Sequence, residues 1–300
     1  MKRFLLTVLS FFIVFFLLEK ASWYFINNAP EKEHDRRLEK VVTRSFNKDL
    51  IIIGSSRGAN NILACQLENE TGLSSYNLSY KGVDIIFQLF ILETYLKLNP
   101  PPKKVLLLLD HKYTFAKGNP LRFRDDVLFP FSKYNYINNK LIARGKRNYG
   151  SKIFGLLRLN RKDFSTKKKK VLPNEVLTDC GSMPNPIKRP ITLEYQDEKL
   201  IYQVNNENPK KIEAFKTIQM LCQTNNIKLI TVFPPNYKAF DFGFMKRFIQ
   251  LNNSENSVII YDTLNPIYKN ESIYFDESHL IRDGAKIFTS EISDFINSNK

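Results

Sequence analysis

The segment Lys104-Val105-Leu106-Leu107-Leu108-Leu109-Asp110 constrains the fold more than any other part of the chain. An unbroken aliphatic run this short, closed by an acid, reads as a strand that is apolar on both faces. Such a strand needs helices above and below it, which is the environment of a parallel sheet. Four further runs fit the same sheet: Leu50 to Ile53, Ser75 to Leu78, Lys228 to Phe233 and Val258 to Tyr261. Helical spacing fills the intervals at Asn60 to Glu70, Val83 to Leu98, Lys210 to Thr224, Asp241 to Leu251 and Asp283 to Ile296. Thr71-Gly72 and Asn99-Pro100-Pro101-Pro102 punctuate them as helix stops. Strands alternating with crossover helices predict an α/β fold, a three-layer α/β/α sandwich around a central parallel five-stranded sheet. Ligands of such sheets bind at the carboxyl ends of strands. Gly54, Asp110 and Pro234 fall at those ends.

The alternation fails from His111 to about Asn208, a basic, aromatic stretch punctuated by Pro. That is too long for a simple loop in a compact domain. It reads as a cap insertion at about 111–208, with helix expected from Lys140 to Leu159. The N-terminus is a different kind of segment. After Met1-Lys2-Arg3, Phe4 to Leu18 carries no charge, and Ala21-Ser22-Trp23-Tyr24-Phe25-Ile26 resumes the apolar pattern beyond Glu19-Lys20. The first run is shorter than the ~20 residues a span usually takes. Trp23 and Tyr24, however, suit a membrane interface. No small-residue cleavage site is clear, so residues 1–27 read as an uncleaved signal anchor, with a cleaved signal peptide as the alternative. Lys2 and Arg3 before the span favour a cytoplasmic N-terminus and an exported body. Residues 28–48 read as a stalk and 49–300 as the folded domain.

The chain carries a formal charge of +15, part of it concentrated at Arg144-Gly145-Lys146-Arg147 and Lys167 to Lys170. A solvated basic surface and an attraction to anionic lipid or an acidic polymer both fit. No nucleic-acid-binding motif is present. No P-loop, dinucleotide fingerprint or zinc-protease motif occurs, and no cofactor is implied. Cys65, Cys180 and Cys222 form no metal spacing. One disulfide is open to them, but two buried free thiols are the simpler expectation.

Two short motifs carry the chemistry. Leu50-Ile51-Ile52-Ile53 feeds into Gly54-Ser55-Ser56-Arg57, and Phe275-Asp276-Glu277-Ser278-His279-Leu280 precedes the last helix. A serine hydroxyl needs an adjacent base, itself oriented by a third group. Ser56 sits where a strand turns into a helix, so its N–H can face a developing oxyanion. Alone, Gly-Ser-Ser also suits a tight turn with an N-cap serine. The histidines narrow the choice, since the chain has three. His34 lies in the stalk, leaving His279, three residues after Asp276, or His111. Arg57 either pairs with Asp110 or binds an anionic part of a substrate.

Ile-Ile-Ile-Gly-Ser-Ser-Arg resembles the first block of SGNH/GDSL hydrolases, in which Gly-Asp-Ser supplies the nucleophile, here Ser56, with Ser55 in place of the aspartate. Asp276-x-x-His279 resembles the last block, which implies orienting acid and base. Tyr76-Asn77-Leu78-Ser79-Tyr80-Lys81-Gly82 resembles the second block, so Ser56 and Gly82 are the implied N–H donors of the oxyanion hole. Asn77, Asp110 and Arg57 become candidate substrate-binding residues. The third block, Gly-x-Asn-Asp, is absent, and Leu109-Asp110-His111-Lys112 stands in its place. The likeness spans about 50–110 and 210–298.

Membrane-anchored relatives of this kind resemble partners of membrane-bound O-acyltransferases, among them alginate acetylation proteins and D-alanine transfer proteins of teichoic acids. The resemblance implies a serine-dependent hydrolase or acyltransferase acting on an acylated cell-envelope glycan, with acetyl as the expected group. It places the chain in the bacterial cytoplasmic membrane with its body outside. A non-catalytic binding or assembly protein on the same fold remains the alternative, favoured by the missing third block.

Overall fold

The computed structural model describes residues 1–118, 120–165, 167–197 and 201–299. Its helices and strands in chain order are α1 (Lys2–Asn28), α2 (Arg37–Val42), β1 (Leu50–Ile53), α3 (Ser56–Asn61), α4 (Ala64–Thr71), β2 (Ser75–Asn77), α5 (Ile85–Leu98) and β3 (Lys104–Leu108). There follow α6 (Asp125–Leu128), α7 (Asn135–Ala143), α8 (Pro209–Thr224), β4 (Lys228–Phe233), α9 (Phe242–Leu251), β5 (Ser257–Ile260), β6 (Tyr274–Asp276), β7 (His279–Leu280) and α10 (Arg282–Ser298). Residues 44–123 and 172–300 form one compact unit, and residues 1–43 and 124–171 form another. The stretch 111–208 is therefore divided between the two.

The first unit is built on the expected sheet. Its five strands run in the order β2-β1-β3-β4-β5, every neighbouring pair parallel. Ile52 of β1 sits between Asn77 and Leu106, and Leu106 faces Ile230 across the next pair. Leu50 to Ile53 and Val105 to Leu109 are buried, as strands covered on both faces must be. In this order the chain reverses direction between β1 and β3, and the crevice there is the usual ligand position.

Three local departures have physical causes. The helix expected from Asn60 to Glu70 is two helices, broken at Ile62-Leu63. The groups freed by the break are taken up in the core: Leu63 N–H donates to Thr289 Oγ1 at 3.0 Å, and Ile62 C=O accepts from Asn77 Nδ2 at 3.2 Å. The helix expected from Lys140 to Leu159 starts earlier and stops at Ala143. Gly145, at φ 67°, ends it with Gly145 N–H on Ile142 C=O and Lys146 N–H on Leu141 C=O. The segment before the last helix is a small antiparallel hairpin, β6–β7, that carries Asp276 and His279.

Cys222 is free and buried, as expected, but Cys65 is bonded to Cys180, which corrects the expectation of a second buried free thiol. The residues around Cys180 are held beside α4 through bonds that no periodicity announces. Asn77 N–H donates to Cys180 C=O, Ala64 N–H to Ser182 Oγ and Met183 N–H to Ala59 C=O. The bridge closes a loop across a sequence separation of 115. Loops of that size are worth about 4–5 kcal/mol in the chain-entropy account. Burial pushes the Cys222 thiol up to about 12. A maleimide count should therefore read no thiol on the native protein, one after unfolding and three after unfolding with reduction. One reactive thiol in the native state would refute this arrangement.

The second unit joins α1 to the middle of the inserted stretch. Arg158, 2% exposed, holds it together by donating from Nε to Ser151 C=O at 2.6 Å, from Nη1 to Ser132 C=O at 3.2 Å and from Nη2 to Asn135 Oδ1 at 2.8 Å. Within residues 28–48, read from sequence as a stalk, α2 is anchored by Glu39, which accepts from Tyr134 Oη at 2.8 Å and pairs with Lys133 at 3.1 Å. Residues 2–32 contain one helix long and apolar enough to cross a membrane. Its side chains from Phe4 to Leu18 are largely exposed.

Candidate active site

The strand-to-helix turn after β1 places two serines with different tasks. Ser55 is the N-cap of α3, its Oγ accepting from Arg57 N–H at 3.3 Å. The same hydroxyl donates to Asp110 at the end of β3. Ser56, the first residue of α3, is half-buried and points its hydroxyl elsewhere. Its Oγ lies 2.7 Å from His279 Nε2. Gly58, two residues on, packs against Ser79 so closely that a Cβ there would meet Ser79 Cβ at 2.8 Å. That contact keeps α3, which carries Ser56, close against the end of β2.

His279 is delivered from the other side by the β6–β7 hairpin. Asp276 Oδ1 accepts from Ser278 N–H at 2.9 Å, from His279 N–H at 3.0 Å and from His279 Nδ1 at 2.7 Å. The turn is thus folded around the carboxylate, which fixes the ring as well. Burial works against the charge on Asp276, but the hydrogen bond and charge of His279 and the two backbone donors outweigh it. The carboxyl lies below its ordinary value. An ionised Asp276 can only accept, so Nδ1 carries a proton, and in the neutral imidazole Nε2 then presents its lone pair to the Ser56 hydroxyl. Serine, histidine and acid form one continuous hydrogen-bonded line.

Asn61 is a candidate positioning residue that the sequence did not announce. Fully buried at the end of α3, it accepts from Leu280 N–H at 3.0 Å and donates from Nδ2 to Ser278 C=O at 3.4 Å. It ties the histidine's hairpin to the helix that carries Ser56. Only its place on the turn after Gly54-Ser55-Ser56 could have suggested it. Asn61→Ala should lower turnover by about 10²-fold with KM nearly unchanged, the size of effect that a misplacement of about 1 Å produces. Steady-state kinetics on a small acetyl ester would check it, and an unchanged kcat would remove the positioning role.

Of the three candidate substrate-binding residues, Asn77 and Asp110 are turned into the structure, and Arg57 follows the first of its two readings, pairing with Asp110. Asn77 is fully buried, donating from Nδ2 to Gly58 C=O at 2.8 Å and accepting Ser79 N–H at 3.0 Å. Its amide joins β2 to α3 and does not face a ligand. Asp110 is 5% exposed and spent on Ser55 and Arg57, so it too is structural. Burial pushes its carboxyl up, opposed by Arg57 and the Ser55 hydroxyl. Arg57, 5% exposed, is turned inward with Nε 3.8 Å from Asp110 Oδ1, an ion pair rather than a hydrogen bond. Its Nη1 has no hydrogen-bond partner among the described residues. His111 is also set apart from the triad. At φ 47° it is buried, and its Nε2 lies 3.0 Å from Pro234 C=O, which requires that nitrogen to be protonated. Burial and Arg57 hold its pKa well below the ordinary value, so it is a neutral link to the end of β4.

Gly82 lies two residues past Tyr80, whose N–H donates to Gly54 C=O at 3.1 Å. The chain turns there at φ 73°, with Gly82 C=O accepting from Arg122 N–H at 3.1 Å. Among the described residues, no group of three or more His, Cys, Asp or Glu is placed to hold a metal ion.

No protein-family model and no curated protein matches the sequence. Among solved structures, the chain is similar to an acetyl xylan esterase, Est2A, from the rumen bacterium Butyrivibrio proteoclasticus. The TM-score is 0.36 at 9% sequence identity, over 85% of this chain and 64% of that one. The chain thus spans less than two thirds of that protein's length.

Proposed function

We propose that this chain is a serine-dependent acyl ester hydrolase or acyltransferase of the SGNH type, acting on a cell-envelope glycan. The observation that carries the reading is the line Ser56–His279–Asp276, at 2.7 Å for each of its two links. Ser56 Oγ attacks the carbonyl carbon of an acyl ester while His279 Nε2 takes its proton. The resulting imidazolium is stabilised by Asp276. The N–H groups of Ser56 and Gly82 are the proposed donors to the tetrahedral oxyanion. Collapse expels the alcohol, which receives the proton from His279, and leaves the acyl group on Ser56. Water or a sugar hydroxyl then attacks with the same base, giving acid or transferred ester.

The expected setting is the cytoplasmic membrane of a bacterium, single-pass through α1, with the body outside and a membrane-bound O-acyltransferase as partner. Two features support an exported body. Lys2 and Arg3 precede the apolar helix, and the Cys65–Cys180 bond suits an oxidising compartment. The acylated glycan is expected to be acidic, drawn by the basic stretch Lys167 to Lys170.

The deciding experiment is intact-mass analysis after exposure to a fluorophosphonate. One adduct on the wild type, absent in Ser56→Ala and slowed in His279→Ala, is the expected result. A well-folded wild type that takes no adduct would shift the reading to the non-catalytic assembly protein.

A further inference from the structure

The helix α1 presents a problem that its partner segment solves. Its 27 residues span about 40 Å at 1.5 Å per residue, more than the ~30 Å hydrocarbon thickness. A span that begins at Phe4 reaches the far boundary near Trp23 and Tyr24, where such rings favour the interface. Glu19 then lies roughly 7 Å inside that boundary, where an unpaired carboxylate is costly. It is not unpaired. Trp23 Nε1 donates to its Oε1 at 2.9 Å, as does Gly155 N–H at 2.5 Å, and Leu156 N–H donates to Oε2 at 3.0 Å.

The residues that supply those donors sit at the same depth. Phe154 packs edge-on against Phe15 with centroids 5.6 Å apart, and the Arg158 guanidinium lies 5.0 Å above the Trp23 ring. Gly155 touches Trp23 so closely that a Cβ would meet its Nε1 at 2.7 Å. Yet the outward side chains of this segment are apolar and uncovered: Ile153 is 72% exposed and Leu157 42%. Its backbone is prepared to leave water. Ile153 and Phe154 N–H donate to Gly150 C=O, Leu157 N–H donates to Phe154 C=O, and Glu19 takes the two between. Irregular backbone is excluded from lipid by unmet N–H and C=O groups; here every N–H from 153 to 157 is met, residues 155–158 form a 3-10 turn, and the Phe154 and Leu157 carbonyls also have donors. Lys146 and Lys152, both exposed, flank the apolar tip and suit anionic headgroups, while Arg147 is turned inward onto the Leu157 and Leu159 carbonyls.

We propose that residues 149–157 are a second membrane-contacting element, a wedge seated in the acyl region of one leaflet beside α1. The proposal rests on α1 spanning the bilayer, and the test separates the two. Full-length Ile153→Cys, Leu157→Cys, Leu17→Cys and Lys216→Cys would each be labelled with bimane. They would be reconstituted in phosphatidylethanolamine/phosphatidylglycerol vesicles, with either a doxyl group on the acyl chain or iodide in the water. The buried Cys222 thiol takes no label. The expected result is loss of fluorescence to doxyl at 153 and 157 equal to that at Leu17, and loss to iodide only at Lys216. Doxyl quenching at Leu17 alone, with iodide reaching 153 and 157, overturns the wedge and leaves the span. Shielding of 153 and 157 from both quenchers overturns it in favour of a protein cover, either a second copy or a membrane partner. No doxyl quenching even at Leu17 overturns both.

Discussion

Ser56→Ala is expected to lower kcat on a small acetyl ester by about 10⁴–10⁶, with KM nearly unchanged, because the lost bond exists only on the reaction path. His279→Ala should cost about as much, and the Ser56→Ala/His279→Ala pair no more than either alone, since the two act as one unit. Asp276→Asn should cost on the order of 10⁴, by allowing the wrong imidazole tautomer while leaving the fold in place. Retention of most activity in Ser56→Ala would defeat the proposed mechanism. The same aspartate predicts an acid limb in stability. Its folded-state carboxyl lies below the ordinary value, so the unfolded chain takes up a proton first as pH falls. The stabilisation is complete above the ordinary carboxylate range and is lost as pH drops through the depressed folded value. Urea titrations in that window should show a flatter pH dependence for Asp276→Asn than for the wild type.

Asp110→Ala is expected to destabilise the protein by about 3–5 kcal/mol, the usual consequence of stranding a buried charge. The charge stranded is Arg57, whose side chain is 6% exposed against 8% for Asp110. Ser55 would lose its acceptor in the same step and loosen the turn that presents Ser56. Arg57→Met/Asp110→Leu should recover much of the stability, because replacing both members with apolar residues removes the unpaired charge. Chemical denaturation of the single and double variants gives the comparison. A stable Asp110→Ala with weakened substrate binding would return Asp110 to the substrate side of the site.

Much of the frame was legible because it rests on local pattern. Continuous apolar runs at Leu50 to Ile53 and Lys228 to Phe233 can satisfy their surroundings only as strands covered on both faces, and they became β1 and β4. Scarcity made the candidate base legible as well, since His34 lay in the polar stretch after α1 and only two other histidines remained. What the residue types left undecided was which polar groups face a ligand and which hold the structure together. Asn77, Asp110 and Arg57 carry the chemistry of substrate contacts, and burial turned all three inward.

The sequence by itself determined the layers of the sheet domain, the strand ends where a site would form, and the identity of one serine, one histidine and one acid worth testing. Those features follow from hydrophobic period and from the requirement that a weak nucleophile have a base. Tertiary structure alone decided the rest. It brought His279 to 2.7 Å from a serine more than 200 residues away, with Asn61 as the tie between their elements. It joined Cys65 to Cys180 and set Gly155 against Trp23 so that Glu19 could be satisfied within an apolar helix. Each of these is a contact between segments distant along the chain, created when burial forces polar groups to find partners that no local spacing specifies.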